Sequence, residues 1–168
     1  MKTIKTRRSI RSYTDQAIES EKIEQMLRAG MQAPSAINQQ PWEFIVVQDK
    51  KTLEALSLIS PYSRLVAKAS IAIIPMANDD RMKHSDHWQQ DLAAATENIL
   101  LQAVELGLGA VWLGVAPNEE RMEYLRNHFD LTPNLKPFAI ISIGYPAKGN
   151  ENIFVDRYDE TRVHYEKY

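Results

Sequence analysis

The chain has 168 residues, 44% of them hydrophobic, so it can bury an ordinary core without a metal ion or a disulfide. It has no cysteine, which excludes disulfides, thiolate metal sites, iron–sulfur clusters and a cysteine nucleophile. Twenty Lys and Arg against 22 Asp and Glu give a net charge of -2, which offers no general attraction for nucleic acid or an anionic membrane. Because no stretch approaches the roughly 20 apolar residues of a membrane span, we predict a single cytoplasmic domain over residues 1–168.

The first half of the chain alternates helical and strand patterns. Apolar residues along one helical face predict a helix with Ser20 as its N-cap, ending before the next proline. The polar, proline-flanked block PSAINQQPW (34–42) follows as a loop and leads into a buried strand over residues 43–49. Asp49 is the expected cap of a short helix, and residues 71–75 predict a second strand.

The second half begins with a long helix that has a continuous apolar face over residues 92–104, with Asp86 as its expected N-cap. Its many alanines allow close approach of another helix, so it is a candidate core or interface helix. Residues 110–115 predict a third strand, Asn118 caps a further helix, and residues 138–144 predict a fourth strand.

The C-terminal tail, residues 147–168, is polar with scattered aromatic residues. These are too sparse to form a core of their own. We therefore expect the tail to pack on a partner subunit.

A basic segment near the N-terminus offers several hydrogen-bond donors within a few residues. Arg7, Arg8 and Arg11 surround Ser9 in TRRSIRSY. Guanidinium groups bind phosphate oxygens through paired hydrogen bonds, and a serine hydroxyl adds an uncharged donor. Taken alone, this pattern is more typical of a solvated basic terminus, although it also suits a phosphate group.

The block PSAINQQPW concentrates neutral hydrogen-bonding side chains between prolines. Ser35, Asn38, Gln39 and Gln40 could read the polar edge of a heteroaromatic ring. Taken alone, the block is more typical of polar groups that satisfy a loop backbone.

Five segments in this order resemble the nitroreductase family of FMN-dependent oxidoreductases. They are RRSIRSY, APSAINQQPWEFIVV, DLAAATENILLQAVELGLGAVWLG, FAIISIGYP and a basic aromatic tail, which together span nearly the whole chain. The block APSAxNxQPW is the most specific of them. The resemblance implies an α+β fold with a central, mostly antiparallel sheet of about four to five strands surrounded by helices. It also implies an intertwined homodimer with an FMN at each subunit interface.

The resemblance further implies which residues bind the flavin. Residues 7–9 match the stretch that holds the phosphate and ribityl chain, and Arg11 lies close to the ring, where it would stabilise the reduced flavin. Residues 34–38 approach the flavin from the other subunit, and residues 113–114 lie beside the ring with their backbone. The matching positions are Arg7, Arg8, Ser9, Arg11, Pro34, Ser35, Ala36, Asn38, Leu113 and Gly114.

A second basic group for the phosphate lies near the C-terminus in this family. Arg157 is our choice here, ahead of Arg162 and Lys148, because several basic residues compete in the tail. Longer family members carry an inserted helical segment over the active site, and 168 residues leave little room for it. We therefore expect an open substrate pocket.

The chemistry implied by the resemblance belongs to the flavin rather than to a catalytic side chain. NAD(P)H would transfer a hydride to flavin N5 and leave, and a nitro compound, quinone or similar small acceptor would then take the electrons in a ping-pong cycle. The same fold also hosts reductive dehalogenation and flavin fragmentation, and a non-enzymatic flavin sensor or storage protein is a further alternative. A structural or interaction module would require a chain without any cofactor.

Two other sites are disfavoured by the sequence. His84 and His87 with nearby aspartates could suggest a metal site, but they lie in a polar connection without an HExxH helix. Ser35 lacks the G-x-S-x-G elbow of a hydrolase nucleophile. We therefore expect no bound metal. There is also no Rossmann fingerprint, so nicotinamide would be a visiting substrate.

Overall fold

The centre of the molecule is one antiparallel sheet. The computed structural model describes residues 2–168, so Met1 of the predicted 1–168 domain lies outside the described residues. The strands are β1 (Trp42–Val47), β2 (Ile71–Asn78), β3 (Gly109–Gly114), β4 (Leu135–Pro137) and β5 (Ala139–Gly144). Their order is β1-β2-β5-β3, and β4 pairs with the end of β2. The predicted α+β fold with a mostly antiparallel sheet is confirmed.

Within residues 2–168 five α-helices flank the sheet: α1 (Lys2–Thr6), α2 (Ser20–Met31), α3 (Lys50–Leu56), α4 (Trp88–Glu105) and α5 (Glu119–His128). Two predicted caps are confirmed, because the Asp49 side chain accepts from the Thr52 N–H and the Asn118 side chain from the Arg121 N–H. Such a bond satisfies an otherwise unpaired amide of the first turn.

Two other predicted N-caps are wrong. Ser20 is the first residue of α2, and Glu19 occupies the cap position. Asp86 lies within a 3-10 turn, Ser85–His87, which leads directly into α4. The cap position of α4 therefore falls on His87, which makes no side-chain capping bond.

Both faces of the sheet are covered, which explains why the central strand reads as an unbroken apolar run. Alternate side chains of β2 point to opposite faces. Ile71 and Ile73 pack with residues of α2 and α4, whereas Ile74 and Met76 pack with residues of α3 and α5. Helices therefore cover both faces of the sheet, and the ends of the strands are where a site can lie.

Helix α4 ends in a turn that delivers the chain to β3. The Leu108 N–H donates to the Ala103 carbonyl at 2.8 Å, and the Gly107 N–H donates to the Val104 carbonyl at 3.1 Å. Gly107 has φ +75°, the left-handed conformation that this helix ending requires.

The basic N-terminal segment is fixed to the sheet by two glycines. The Ile10 N–H donates to the Ala110 carbonyl at 3.0 Å. A Cβ atom at Gly109 would lie 2.6 Å from the Ile10 side chain, and one at Gly144 would lie 2.7 Å from the Tyr13 ring. Only glycine allows this approach, so the two strands determine where the neighbouring arginines lie.

The tail after β5 follows the surface with one 3-10 turn, Glu160–Arg162. Asn152 fastens its beginning by donating to the Leu108 carbonyl at 3.0 Å. Large apolar side chains farther along, including Phe154 and Tyr165, are exposed. Over residues 2–168 no helix is long and apolar enough to cross a membrane.

Candidate flavin site

Arg7 and Arg8 are held in place by contacts on the edge of the fold. Arg7 Nε lies 3.3 Å from Glu97 Oε1 on α4. The Arg8 backbone N–H donates to Asn152 Oδ1 at 3.0 Å, and its guanidinium donates to the carbonyl oxygens of Arg7 and Lys5. Arg8 Nε is buried and has no hydrogen-bond acceptor. A buried donor without a partner is costly, so this nitrogen suits an anion supplied from outside the chain.

Arg157 joins these two arginines. The pKa of Arg8 is lowered, first by the loss of water around it and then by the positive charges of Arg157 and Arg7. The Val155 carbonyl, two residues before Arg157, lies 3.5 Å from the Arg8 guanidinium. The result is a cluster of three guanidinium groups, which we call the arginine cluster, with the charge and donors that a phosphate dianion requires.

The two alternatives to Arg157 lie elsewhere. Arg162 is exposed and its Nε lies 2.9 Å from Asp159 Oδ2 in the neighbouring turn. Lys148 is exposed and is not among the charges that lower the pKa of Arg8. Both observations favour Arg157 as the tail residue for the phosphate.

A cavity of about 390 Å³ lies at the end of β3. Arg11, Leu113 and Gly114 line it together, and Arg11 Nη1 donates to the Ser9 carbonyl at 3.3 Å. A Cβ atom at Gly114 would meet no other atom within 4 Å. The backbone therefore presents an open face against which a flat ring can lie, as required for the isoalloxazine of a flavin.

Five residues that line the same cavity were not identified from the sequence, two of them, Val111 and Trp112, on β3 itself. Ser60 and Tyr62 come from the loop after α3, a segment without a clear pattern. Arg121 belongs to the first turn of α5, and its Nη1 donates to the Gly114 carbonyl at 2.9 Å. A guanidinium in the first turn of a helix is not distinctive in sequence, so no local signal identified it.

The loop of residues 34–40, called here loop 34–40, stands apart from the arginine cluster. Among residues 2–168 no hydrogen bond joins the two. Pro34, Ile37 and Asn38 are exposed, whereas Ser35 and Ala36 are partly covered. Within one chain the loop therefore does not complete the pocket of its own arginines.

Gln39 agrees with the second interpretation of this block, in which its polar groups satisfy a loop. Its amide was a candidate for reading a ring edge, but the side chain is only 8% exposed and is bonded within its own chain. The Ser35 hydroxyl likewise accepts from the Gln40 N–H at 3.0 Å. The side chains of Ser35 and Gln39 therefore stabilise the conformation of the loop through hydrogen bonds within the chain.

The chain is similar to known proteins over nearly its whole length. The sequence matches the model of the Nitroreductase family over residues 4–70 and 61–145. A relative from Archaeoglobus fulgidus, named "Putative NADH dehydrogenase/NAD(P)H nitroreductase", is 46% identical over 100% of this chain and 98% of its own. A "Putative NADH Oxidase" from Clostridium acetobutylicum is 54% identical, with 99% of each chain covered and a TM-score of 0.97.

A third protein adds a cofactor to the comparison. A chain from Desulfovibrio desulfuricans, solved in complex with FMN, is 33% identical over 99% of this chain and 95% of its own, with a TM-score of 0.85. Because the family model matches most of the chain and the first relative matches all of it, this chain belongs to the nitroreductase family.

Proposed function

We propose that this chain, an FMN-dependent NAD(P)H oxidoreductase, passes electrons from NAD(P)H to a nitro compound, quinone or similar small acceptor. The main support is the fit of the site to FMN. The arginine cluster contains a buried Arg8 Nε without an acceptor, which suits a phosphate. The open face at Gly114 suits a flat ring.

Bound FMN would supply the hydride acceptor and donor at its N5 position. The chain's own residues would bind and orient it. Arg7, Arg8 and Arg157 would hold the phosphate, and the backbone of residues 113–114 would lie beside the ring. Arg11, at the cavity wall, would stabilise negative charge that develops on the pyrimidine side. No protein nucleophile is needed, and water can deliver a proton to the acceptor.

We further propose that the working unit is a cytoplasmic homodimer in which each site is shared. Loop 34–40 exposes Ile37 (60%) and makes no hydrogen bond to its own arginine cluster, so it is free to face the flavin of a second copy. The tail over residues 147–168 exposes Phe154 and Tyr158, which a partner surface would cover. Deletion of residues 150–168 tests this role, and an unchanged stable dimer would argue against it.

Anaerobic titration of the purified chain tests the main proposal. The protein should be yellow, should bleach with NADH or NADPH, and should regain its colour with a quinone or nitroarene. Steady-state rates at several acceptor concentrations should give the parallel double-reciprocal lines of a ping-pong cycle. A colourless chain that fails to bind added FMN would refute the proposal, and bound FMN that NAD(P)H cannot reduce would favour a sensor or storage protein.

A panel of acceptors separates the enzymatic alternatives. Nitro compounds, quinones and halogenated phenols are compared under identical conditions with the same reductant. Turnover of the first two classes supports the proposal. Exclusive dehalogenation, or consumption of the flavin itself, would support the specialised chemistries that the same fold can host.

A further inference from the structure

Asp91 is a buried carboxylate at the beginning of α4. Its side chain is only 4% exposed and has no basic partner among the ion pairs of residues 2–168. Asp91 Oδ1 accepts from the Ala36 N–H at 2.9 Å, and Oδ2 accepts from Gln39 Nε2 at 2.6 Å. The first turn of a helix also favours a negative charge. Both of these hydrogen bonds come from loop 34–40.

Gln39 uses its whole amide to connect three segments. Its Oε1 accepts from the backbone N–H groups of Lys83 and His84 at 2.9 and 3.0 Å. Its Nε2 donates to Asp91 and, at 3.2 Å, to the His84 carbonyl. A glutamine side chain offers two donors and two acceptor positions, so none is left for a ligand. The role of this amide is therefore structural.

The backbone that these bonds hold is strained. Ile37, Asn38 and Gln40 have φ values of 46°, 57° and 49°, which are unfavourable for side chains with a Cβ atom, most of all for a β-branched isoleucine. Such a conformation persists only when surrounding contacts over-determine it. Here the contacts of Asp91 and Gln39 hold the loop on both sides of Ile37 and Asn38, and the Gln40 N–H donates to the Ser35 hydroxyl.

We propose that Asp91 and Gln39 are positioning residues, which hold loop 34–40 in the shape that meets the FMN of a second copy. This inference rests on the proposed function. The same helix carries Glu97, which contacts Arg7, six residues or about 9 Å along the axis from Asp91. Helix α4 thereby fixes loop 34–40, which meets the flavin of the second copy, and also Arg7, which binds the flavin of its own chain.

Reciprocal exchange of the two side chains tests the proposal. Asp91→Asn replaces one of the two acceptor oxygens with an NH₂ group that faces a donor of the loop. Gln39→Glu places a second carboxylate next to that of Asp91. The double variant restores a donor–acceptor pair in the opposite sense, and its one defect is that the 3.2 Å bond to the His84 carbonyl becomes a contact between two oxygen atoms. Each single variant should raise the Kd for FMN by about tenfold, and the double variant should return to within about threefold of wild type.

Leu125→Ala is the control for a general loss of stability. Leu125 is fully buried on α5, in the cluster on the other side of the sheet. It should lower the Tm without changing the Kd for FMN, which is measured by quenching of flavin fluorescence well below the Tm. An equal loss of FMN affinity in Leu125→Ala would overturn the proposal, as would single variants that bind FMN within twofold of wild type. A wild-type chain that binds no FMN would refute the proposed function and this inference with it.

Amide exchange provides a second test, and its decisive measurement is made on the wild-type protein. In the wild-type protein with FMN bound, the Ala36 N–H should exchange slowly, because its acceptor is a buried carboxylate. The Ala36 N–H should also exchange slowly in the double variant, because Asp91→Asn leaves one acceptor oxygen for it. Exchange of the wild-type Ala36 amide at the rate of an unstructured peptide would overturn the proposal even if the single variants failed to fold.

Discussion

Replacement of Gly114 by alanine should separate folding from flavin binding. The added Cβ atom would meet no protein atom within 4 Å, and the backbone of Gly114 has no left-handed φ to be strained. Since alanine loses less backbone entropy than glycine on folding, the free energy of unfolding should be unchanged or higher by at most ~1 kcal/mol. If a flavin ring lies against this strand, the methyl group occupies part of its place. Overpacking of a close contact costs ~1–3 kcal/mol, which corresponds to a Kd for FMN about 5- to 150-fold higher.

Gly109→Ala is the matched control at the other end of the same strand. Its Cβ atom would lie 2.6–2.9 Å from three atoms of the Ile10 side chain, so the N-terminal segment must move. We expect a loss of ~1–3 kcal/mol of folding stability. FMN affinity should fall as well, because Ile10 lies between the phosphate-binding residues and Arg11. The two substitutions are chemically identical and differ only in what the methyl group meets.

The assay combines urea unfolding of the apoprotein with fluorescence titration of FMN. Gly114→Ala should lose affinity at wild-type stability, whereas Gly109→Ala should lose both. If Gly114→Ala bound FMN as tightly as wild type, the ring would not lie against this strand. If it unfolded as readily as Gly109→Ala, the open space at Gly114 would not exist in solution.

Two further predictions concern charge. Arg8→Ala and Arg157→Ala should each raise the Kd for FMN about tenfold and leave the Kd for riboflavin, which lacks the phosphate, unchanged. Arg162→Ala, the control, should change neither Kd. An equal rise in the Kd for riboflavin would show that the phosphate does not bind at this cluster. Burial raises the pKa of Tyr13 to about 12, against the opposing influence of the positive charge of Arg11. The folded state therefore keeps the phenol protonated where the unfolded chain ionises, so the free energy of unfolding falls as the pH rises from about 10 to 12, by up to ~3 kcal/mol. Tyr13→Phe should therefore lose less free energy of unfolding than wild type between pH 8 and pH 11, as measured by urea unfolding. An equal loss in the two proteins would refute the reasoning.

The fold was predictable where the signal is local. The buried strands contain continuous apolar runs, and Asp49 and Asn118 cap helices three residues ahead of the amides they accept from. The three-residue strand β4 was not predicted. It pairs only with the end of β2 and finishes at Pro137, so its existence depends on a neighbour that is distant in sequence.

The site was predictable where a motif is compact. The arginine segment and loop 34–40 were identified as short blocks, and Arg157 was selected by resemblance. The block left two roles open for Gln39, recognition of a ring edge or satisfaction of a loop, and the sequence could not name its partners, which lie at Lys83, His84 and Asp91. Partners more than forty residues away leave no trace in a local pattern.

The arginine cluster also favours one of the two interpretations of the basic segment. A solvated basic terminus would spread its charges into water, since like charges repel and each guanidinium is best hydrated alone. Here Arg8 is partly desolvated, its pKa is lowered by Arg157 and Arg7, and its Nε is buried without an acceptor. Arg157, which is far from Arg8 in sequence, adds to the repulsion between the guanidinium groups. An anion relieves all three penalties at once, and a phosphate dianion does so most effectively because it offers several acceptor oxygens to donors already fixed in place. The cluster is therefore better explained as a binding site for phosphate than as a solvated surface.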